Sequence, residues 1–195
     1  MPERRDLLPF LTHLETFKSV ERLTKVRHDR FEDDAQHSWH LSTALMLFRQ
    51  HLPAACSMER MYELALVHDL PELVTGDYNP YRDNLNQKQQ QLRDAIESLF
   101  KDLPQAEQTY LRSLIEEYED QQTLESRIVK GMDKLLPLIN ALHHPSFSAY
   151  REQGITEDET YRYISTYVSG IPLLEALFEE LMTDAREKGI FPEKK

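Results

Sequence analysis

Apolar residues recur along this chain at three- and four-residue intervals, and strand-like alternation is hard to find. That period lines up one face of a helix. It predicts a first helix over roughly Asp6 to Leu23 and a second from about Asp34 to His51, with Leu41, Leu45, Phe48 and Leu52 as its inward stripe. A third helix opens at Ser57 or Met58 and runs through Leu64 and Val67 to about Asp69. Pro71 disfavours α geometry at Leu70, so the chain bends there before a short helix or turn that breaks at Gly76. Asp77 to Leu85 reads as a loop, since Pro80 and Asn84 are turn formers. A fifth helix covers about Asn86 to Leu103, and Pro104 suits the first turn of a sixth that ends near Asp120. The seventh, Thr123 to His143, is the most apolar, with Ile128, Met132, Leu135, Ile139 and Leu142 as its stripe. A last helix or pair spans about 157–188, divided at Gly170 and Pro172. With five glycines and no repeat, low-complexity tract or linker, the expectation is an all-α single domain over 1–195.

Composition narrows the function classes. A chain of 195 residues can bury a sufficient core without staples. Its single cysteine, Cys56, rules out an internal disulfide and suits a reducing cytoplasm. No stretch approaches the roughly 20 apolar residues of a membrane span, and the N-terminus leads into an amphipathic segment, not an apolar signal core. A formal net charge of -11 argues against nucleic-acid backbones as partners. It leaves room for a small phosphate substrate, because a bound divalent ion reverses the local charge of an acidic site.

Three places put metal-binding groups where apolar residues are expected. His37 extends the stripe of the second helix by one turn and faces the core. A core histidine with a satisfied hydrogen bond is the plainer alternative. His68-Asp69 ends the apolar run Leu64-Ala65-Leu66-Val67. Asp69 and Glu72 have the spacing of a capping box, which accounts for two carboxylates but not for the histidine before them. Asp133 lies inside the most apolar helix, where a carboxylate must be paired or hold a metal; Arg127 and Lys130 are the candidate partners. Pro137 removes the N–H that would bond the carbonyl of Asp133, so a local kink is expected. Two imidazoles and two carboxylates on three helices suit one divalent ion among Mn, Co, Fe, Ni, Zn and Mg. A water acidified by such an ion is a nucleophile near neutral pH.

The order His37, His68-Asp69, Asp133 resembles the HD-domain superfamily of metal-dependent phosphohydrolases. The resemblance spreads over about Arg30 to Asn140. Asp34-Ala35-Gln36-His37-Ser38-Trp39 resembles the stretch around the first ligand, and Val129 to Leu135 resembles the last. The run Ala65 through Leu70-Pro71-Glu72-Leu73-Val74-Thr75-Gly76-Asp77 closely resembles the second block of the 5′-deoxynucleotidase branch. The chain departs from that branch at Tyr78-Asn79-Pro80 and at Gln36.

What the resemblance implies is a compact helical fold, often a homodimer, that removes the 5′-phosphate from nucleoside monophosphates. His37, His68, Asp69 and Asp133 fall on its metal-ligand positions, and Glu72 and Asp77 on two catalytic acidic positions beside the ion. The sequence does not divide base from acid between those two. Arg30 falls where the branch carries a phosphate-binding arginine, with Arg27 as a competitor, and Lys134 is a second candidate for the substrate. His40 as an outer partner of His37, and Trp39 or Tyr78 against base or sugar, are weaker expectations; His143-His144 reads as structural. The alternatives are hydrolysis of another phosphorylated metabolite, such as a pyrophosphorylated alarmone, and a non-catalytic sensing protein stabilised by its metal.

Overall fold

The most apolar helix of the sequence is the axis of the structure. α7 (Leu124–His143) starts at Thr123, whose side chain accepts from Ser126 N, and runs unbroken through Pro137. The computed structural model describes residues 4–193, so the ends of the expected 1–195 span, residues 1–3 and 194–195, lie outside the described residues. Around α7 pack α2 (Asp34–Phe48), α3 (Met58–Val67), α6 (Gln105–Asp120), α9 (Glu157–Val168) and α10 (Pro172–Glu187). Its apolar stripe joins one buried cluster that runs from Phe17 to Ile190. Gly131 permits a close approach of α7 to α9 and α10. A Cβ there would sit 2.5 Å from Leu174 Cδ1 and 3.0 Å from the carbonyl oxygen of Tyr167. The remaining helices are α1 (Leu8–His13), α4 (Glu72–Thr75), α5 (Leu85–Phe100) and α8 (Ala149–Glu152).

The all-α expectation holds for the class, but the first predicted helix is corrected. Arg4–Leu7 is a 3-10 turn, α1 is short, Leu14–Ser19 is again 3-10, and helix ends there. Glu21–Arg27 forms β1, paired antiparallel with β2 (Arg30–Asp33) around a turn at His28-Asp29. β-branched Val20, Thr24 and Val26 at even positions account for the change, because such side chains favour extended backbone. This hairpin is the only sheet among the described residues. Smaller corrections follow. α2 ends at Phe48 instead of His51, and α5 ends at Phe100, before Leu103. Pro104 is the N-cap of α6, with extended ψ of 148°, and not a residue of its first turn. The division at Gly170 and Pro172 is as expected, with Gly170 at φ 76° between α9 and α10.

Candidate metal centre and cavity

The helix period turns His37, near the start of α2, inward, and it is 1% exposed. His68 caps the C-terminus of α3, Asp69 follows it, and Asp133 is buried in mid-α7. The three helices bring these side chains to one corner. His37 Nε2 is 2.8 Å from Asp133 Oδ1 and 3.9 Å from Asp69 Oδ2. His68 Nε2 is 3.0 Å from Asp69 Oδ2 and 3.9 Å from Asp133 Oδ1. Two ligands each about 2.1 Å from one ion stand roughly 3–4 Å apart, so all four separations are compatible with a shared cation.

The details of each ligand fit that use. His68 Nδ1 lies 3.0 Å from the carbonyl oxygen of Ala65, which favours the proton on Nδ1 and a lone pair on Nε2. Nε2 itself is buried and, although near Asp69, makes no aligned hydrogen bond. A backbone-anchored imidazole with a bare second nitrogen is the arrangement that metal-ligating histidines use. Asp133 Oδ2 accepts from the Tyr118 hydroxyl at 2.6 Å and lies 2.6 Å from Lys134 Nζ. Burial opposes the Asp133 charge, but Lys134 and His37 outweigh it and hold the carboxyl well below its usual range. The basic neighbours considered from sequence are engaged elsewhere, Arg127 with the carbonyl of Ser169 and Lys130 with Glu119. Burial and Arg22 lower the pKa of His37 against the pull of Asp133. Burial lowers that of His68, but Asp69 and Asp133 together outweigh it and raise it.

A cavity of about 670 Å³ opens beside this corner. Glu72, Asp77 and Lys134 line it. Asp69 does not cap α4. The N-cap is Pro71, without a side-chain cap, so the capping-box alternative is not realised. Gly76 ends α4 at φ 72°, a conformation that favours glycine, and redirects the chain so that Asp77 turns back. Asp77 Oδ2 accepts from Leu23 N at 3.1 Å and Oδ1 from Tyr78 N at 2.7 Å. Burial raises the pKa of Asp77 while Arg22 restrains it. Glu72 rises well above its usual value through burial first and then the charges of Asp69, Asp77 and Asp34.

The arginine is a correction. Arg30, at the tip of the hairpin, is exposed and reaches only Gln36 Oε1, at 3.5 Å; Arg27 sits by Asp29, and neither lines the cavity. The arginine that does is Arg22 of β1. Its Nη1 is 2.7 Å from Asp69 Oδ2 and 3.0 Å from Asp34 Oδ1. Burial works against its charge, but Asp69, Asp77, Glu72 and Asp133 outweigh that and keep it cationic. Asp34 is wholly buried at the start of α2, its pKa pushed up to about 7 by burial and Asp69 against the restraint of Arg22. Both residues escaped the sequence reading because Arg22 was placed on a helix. The signal was the β-branched spacing around it. Tyr78 does line the cavity, whereas His40 and the exposed Trp39 do not. His143 and His144 pair with each other at the end of α7, and His144 stacks on Phe147.

Comparison with known proteins identifies the family. A family model described as HD domain matches residues 14–174. The chain belongs to the HD domain family. It is 32% identical over 142 residues to 5'-deoxynucleotidase HDDC2 of Bos taurus, an alignment covering 70% of this chain and 67% of that protein. It is 28% identical over 137 residues to 5'-deoxynucleotidase hdd1 of Schizosaccharomyces pombe, covering 66% of this chain and 67% of the relative. A crystal structure described as a predicted metal-dependent phosphohydrolase from Magnetospirillum magnetotacticum MS-1 superposes with a TM-score of 0.87 at 25% identity, over 97% of this chain and 98% of that one. This HD-family likeness spans the hairpin as well as the helices, since residues 14–174 include both.

Proposed function

We propose that this chain is a single-domain phosphohydrolase that removes the 5′-phosphate from deoxyribonucleoside monophosphates with the help of one divalent ion held by His37, His68, Asp69 and Asp133. The observation that carries the reading is the buried, bare Nε2 of His68 in a corner shared with three other ligand atoms, at the edge of a cavity. The names of the relatives support the substrate class.

When bound, the ion supplies charge neutralisation to the phosphoryl oxygens and acidity to water. The protein's own groups do the rest. Arg22 takes the phosphate-binding role first considered for Arg30, with one nitrogen of its planar fork, Nη1, held by Asp34 and Asp69. Lys134 adds a second positive charge at the cavity wall. Asp77, gripped by two backbone N–H groups, is fixed in place and takes a proton from the attacking water. Glu72 gives a proton to the departing 5′ oxygen. Burial, the largest cause of its raised pKa, persists when a cation is bound, whereas the push from Asp69 weakens. A cavity of about 670 Å³ is within the roughly 300–1,000 Å³ of small-molecule sites.

The same reading takes the chain to act in the cytoplasm as a homodimer, with small nucleotides and not nucleic acid as its partners. Among the described residues no helix is long and apolar enough to cross a membrane. Trp39 and Leu47, each 68% exposed on α2, mark a face that a second copy would cover; light scattering on the purified chain measures the mass. The deciding assay for function is a screen of phosphorylated metabolites for released orthophosphate. Deoxynucleoside 5′-monophosphates should be hydrolysed, activity should vanish with chelator and return with a divalent ion. Pyrophosphate as the product, or hydrolysis only of alarmones, overturns the assignment.

A further inference from the structure

The cavity concentrates one residue type that the chemistry above does not use. Tyr78, Tyr81, Tyr118, Tyr150, Tyr163 and Tyr167, six of the chain's nine tyrosines, line it, and no phenylalanine or tryptophan joins them among the described residues. Tyr118 serves Asp133. Four of the others form a continuous strip: Tyr150 meets Tyr81 at 6.3 Å between centroids, Tyr81 meets Tyr163 at 5.1 Å, and Tyr163 meets Tyr167 at 5.1 Å. The strip begins at the reaction centre, because Lys134 Nζ, in contact with Asp133, also lies 6.0 Å from the centre of the Tyr167 ring. Its Tyr150 end belongs to the buried core, against which Tyr81 and Tyr163 pack. On α9 the buried residues Thr160, Ile164 and Val168 face the protein, and Tyr161 is exposed against Glu179. Tyr163 and Tyr167, one turn apart, share the face toward the cavity and stay half-buried.

A ring with an apolar face and a polar edge suits a ligand built the same way. We propose that Tyr163 and Tyr167 form a nucleobase subsite, the base lying on the tyrosine strip while the phosphate is held at Arg22 and the metal corner. The inference rests on the nucleotidase reading and deepens it. It also predicts tolerance, because stacking accepts every base through its π-face. Purine and pyrimidine substrates should therefore be used alike.

The test compares deoxyadenosine 5′-monophosphate with 2-deoxyribose 5-phosphate, which lacks the base, in the wild type and in Tyr163→Ala, Tyr167→Ala and Tyr167→Phe. Each alanine variant should lose on the order of ten-fold in kcat/KM on the nucleotide, mainly through KM, and less than two-fold on the sugar phosphate. Tyr167→Phe should keep the nucleotide rate within about three-fold, since its ring face remains. Equal losses on both substrates overturn the subsite and leave the tyrosines a packing role. Calorimetric binding of deoxyadenosine, which has no phosphate to hydrolyse, separates the two claims. Binding that Tyr167→Ala abolishes supports the subsite even if no nucleotide is turned over, and absence of binding to the wild type overturns it even if hydrolysis is found.

Discussion

The cavity is walled by two regions of different construction. The corner with His37, His68, Asp69 and Asp133 is carried by α2, α3 and α7, long helices whose inner faces are part of the main apolar cluster. Much of the remaining lining comes from the hairpin, the turn after α4, and α8 and α9, and hydrogen bonds between polar groups tie it together. In the proposed function the first region is what would hold the ion, and the second is what would place an arginine, a gripped carboxylate and an aromatic strip around the substrate. Failures should therefore separate: damage to the helical corner removes the metal, and damage to the other lining changes substrate use with the metal still present.

The sharpest separation comes from Asp69→Ala. Asp69 touches both His68 and Arg22, so its loss should remove the ion and cut turnover by on the order of a thousand-fold or more. Elemental analysis beside a phosphate-release assay checks it; a variant that keeps full metal content contradicts the shared-ion geometry. Arg22→Lys is the counterpart from the hairpin. It preserves the buried charge, so the fold should hold, but it loses the planar fork. A fall of about a hundred-fold in kcat/KM, ~2.7 kcal/mol, is expected with metal content unchanged. Arg30→Ala should change the rate by less than about two-fold, as an exposed side chain outside the cavity. If the two variants behave alike, the corrected assignment of the arginine is wrong. Tyr118→Phe is a smaller break in the helical corner. It removes the hydroxyl that donates to Asp133 Oδ2 and should weaken metal affinity by about 10- to 100-fold, read by competition with a chelator, while thermal stability changes little.

The same division explains what could be read from sequence. His37 announced itself as a polar residue at a stripe position one turn before Leu41, and Asp133 as a carboxylate among apolar neighbours; helical periodicity makes such exceptions visible. Glu72 and Asp77 were named by the resemblance of the run around His68 to the HD-domain superfamily. Arg22 did not, because its burial depends on a hairpin of seven and four residues whose alternation is too brief to compete with the helical pattern on either side. Asp34 was read only as the start of the second helix, and its buried partner, Arg22, comes from β1, a separate element. The tyrosines are dispersed from 78 to 167, and no local spacing links Tyr81 with Tyr150 and Tyr163. Contacts between distant short segments are set by tertiary packing, which leaves little trace in a local pattern.

The seam that closes the polar lining offers the mildest test. Arg82, in the loop after α4, donates to Glu159 Oε1 at 2.9 Å and to the carbonyl of Gly154 at 3.2 Å. Glu159 also accepts from Thr156 N at 2.8 Å and completes a capping box at the start of α9. The Thr156 backbone N–H first, and then Arg82, bring its pKa from 4.5 down to about 2. A depressed carboxylate contributes stability that is fully present above the unfolded value of 4.5 and is lost as pH falls toward about 2. Glu159→Gln keeps a side chain that can still cap, and the pair is solvent-screened, so the loss at pH 7 should stay below about 1 kcal/mol. Denaturant midpoints of wild type and variant should converge as the pH falls from about 5 toward about 2, because at this position only the wild type titrates there. A gap that is independent of pH would mean that Arg82 and Glu159 are neighbours without being an ion pair, and that the seam is held by the loop backbone alone.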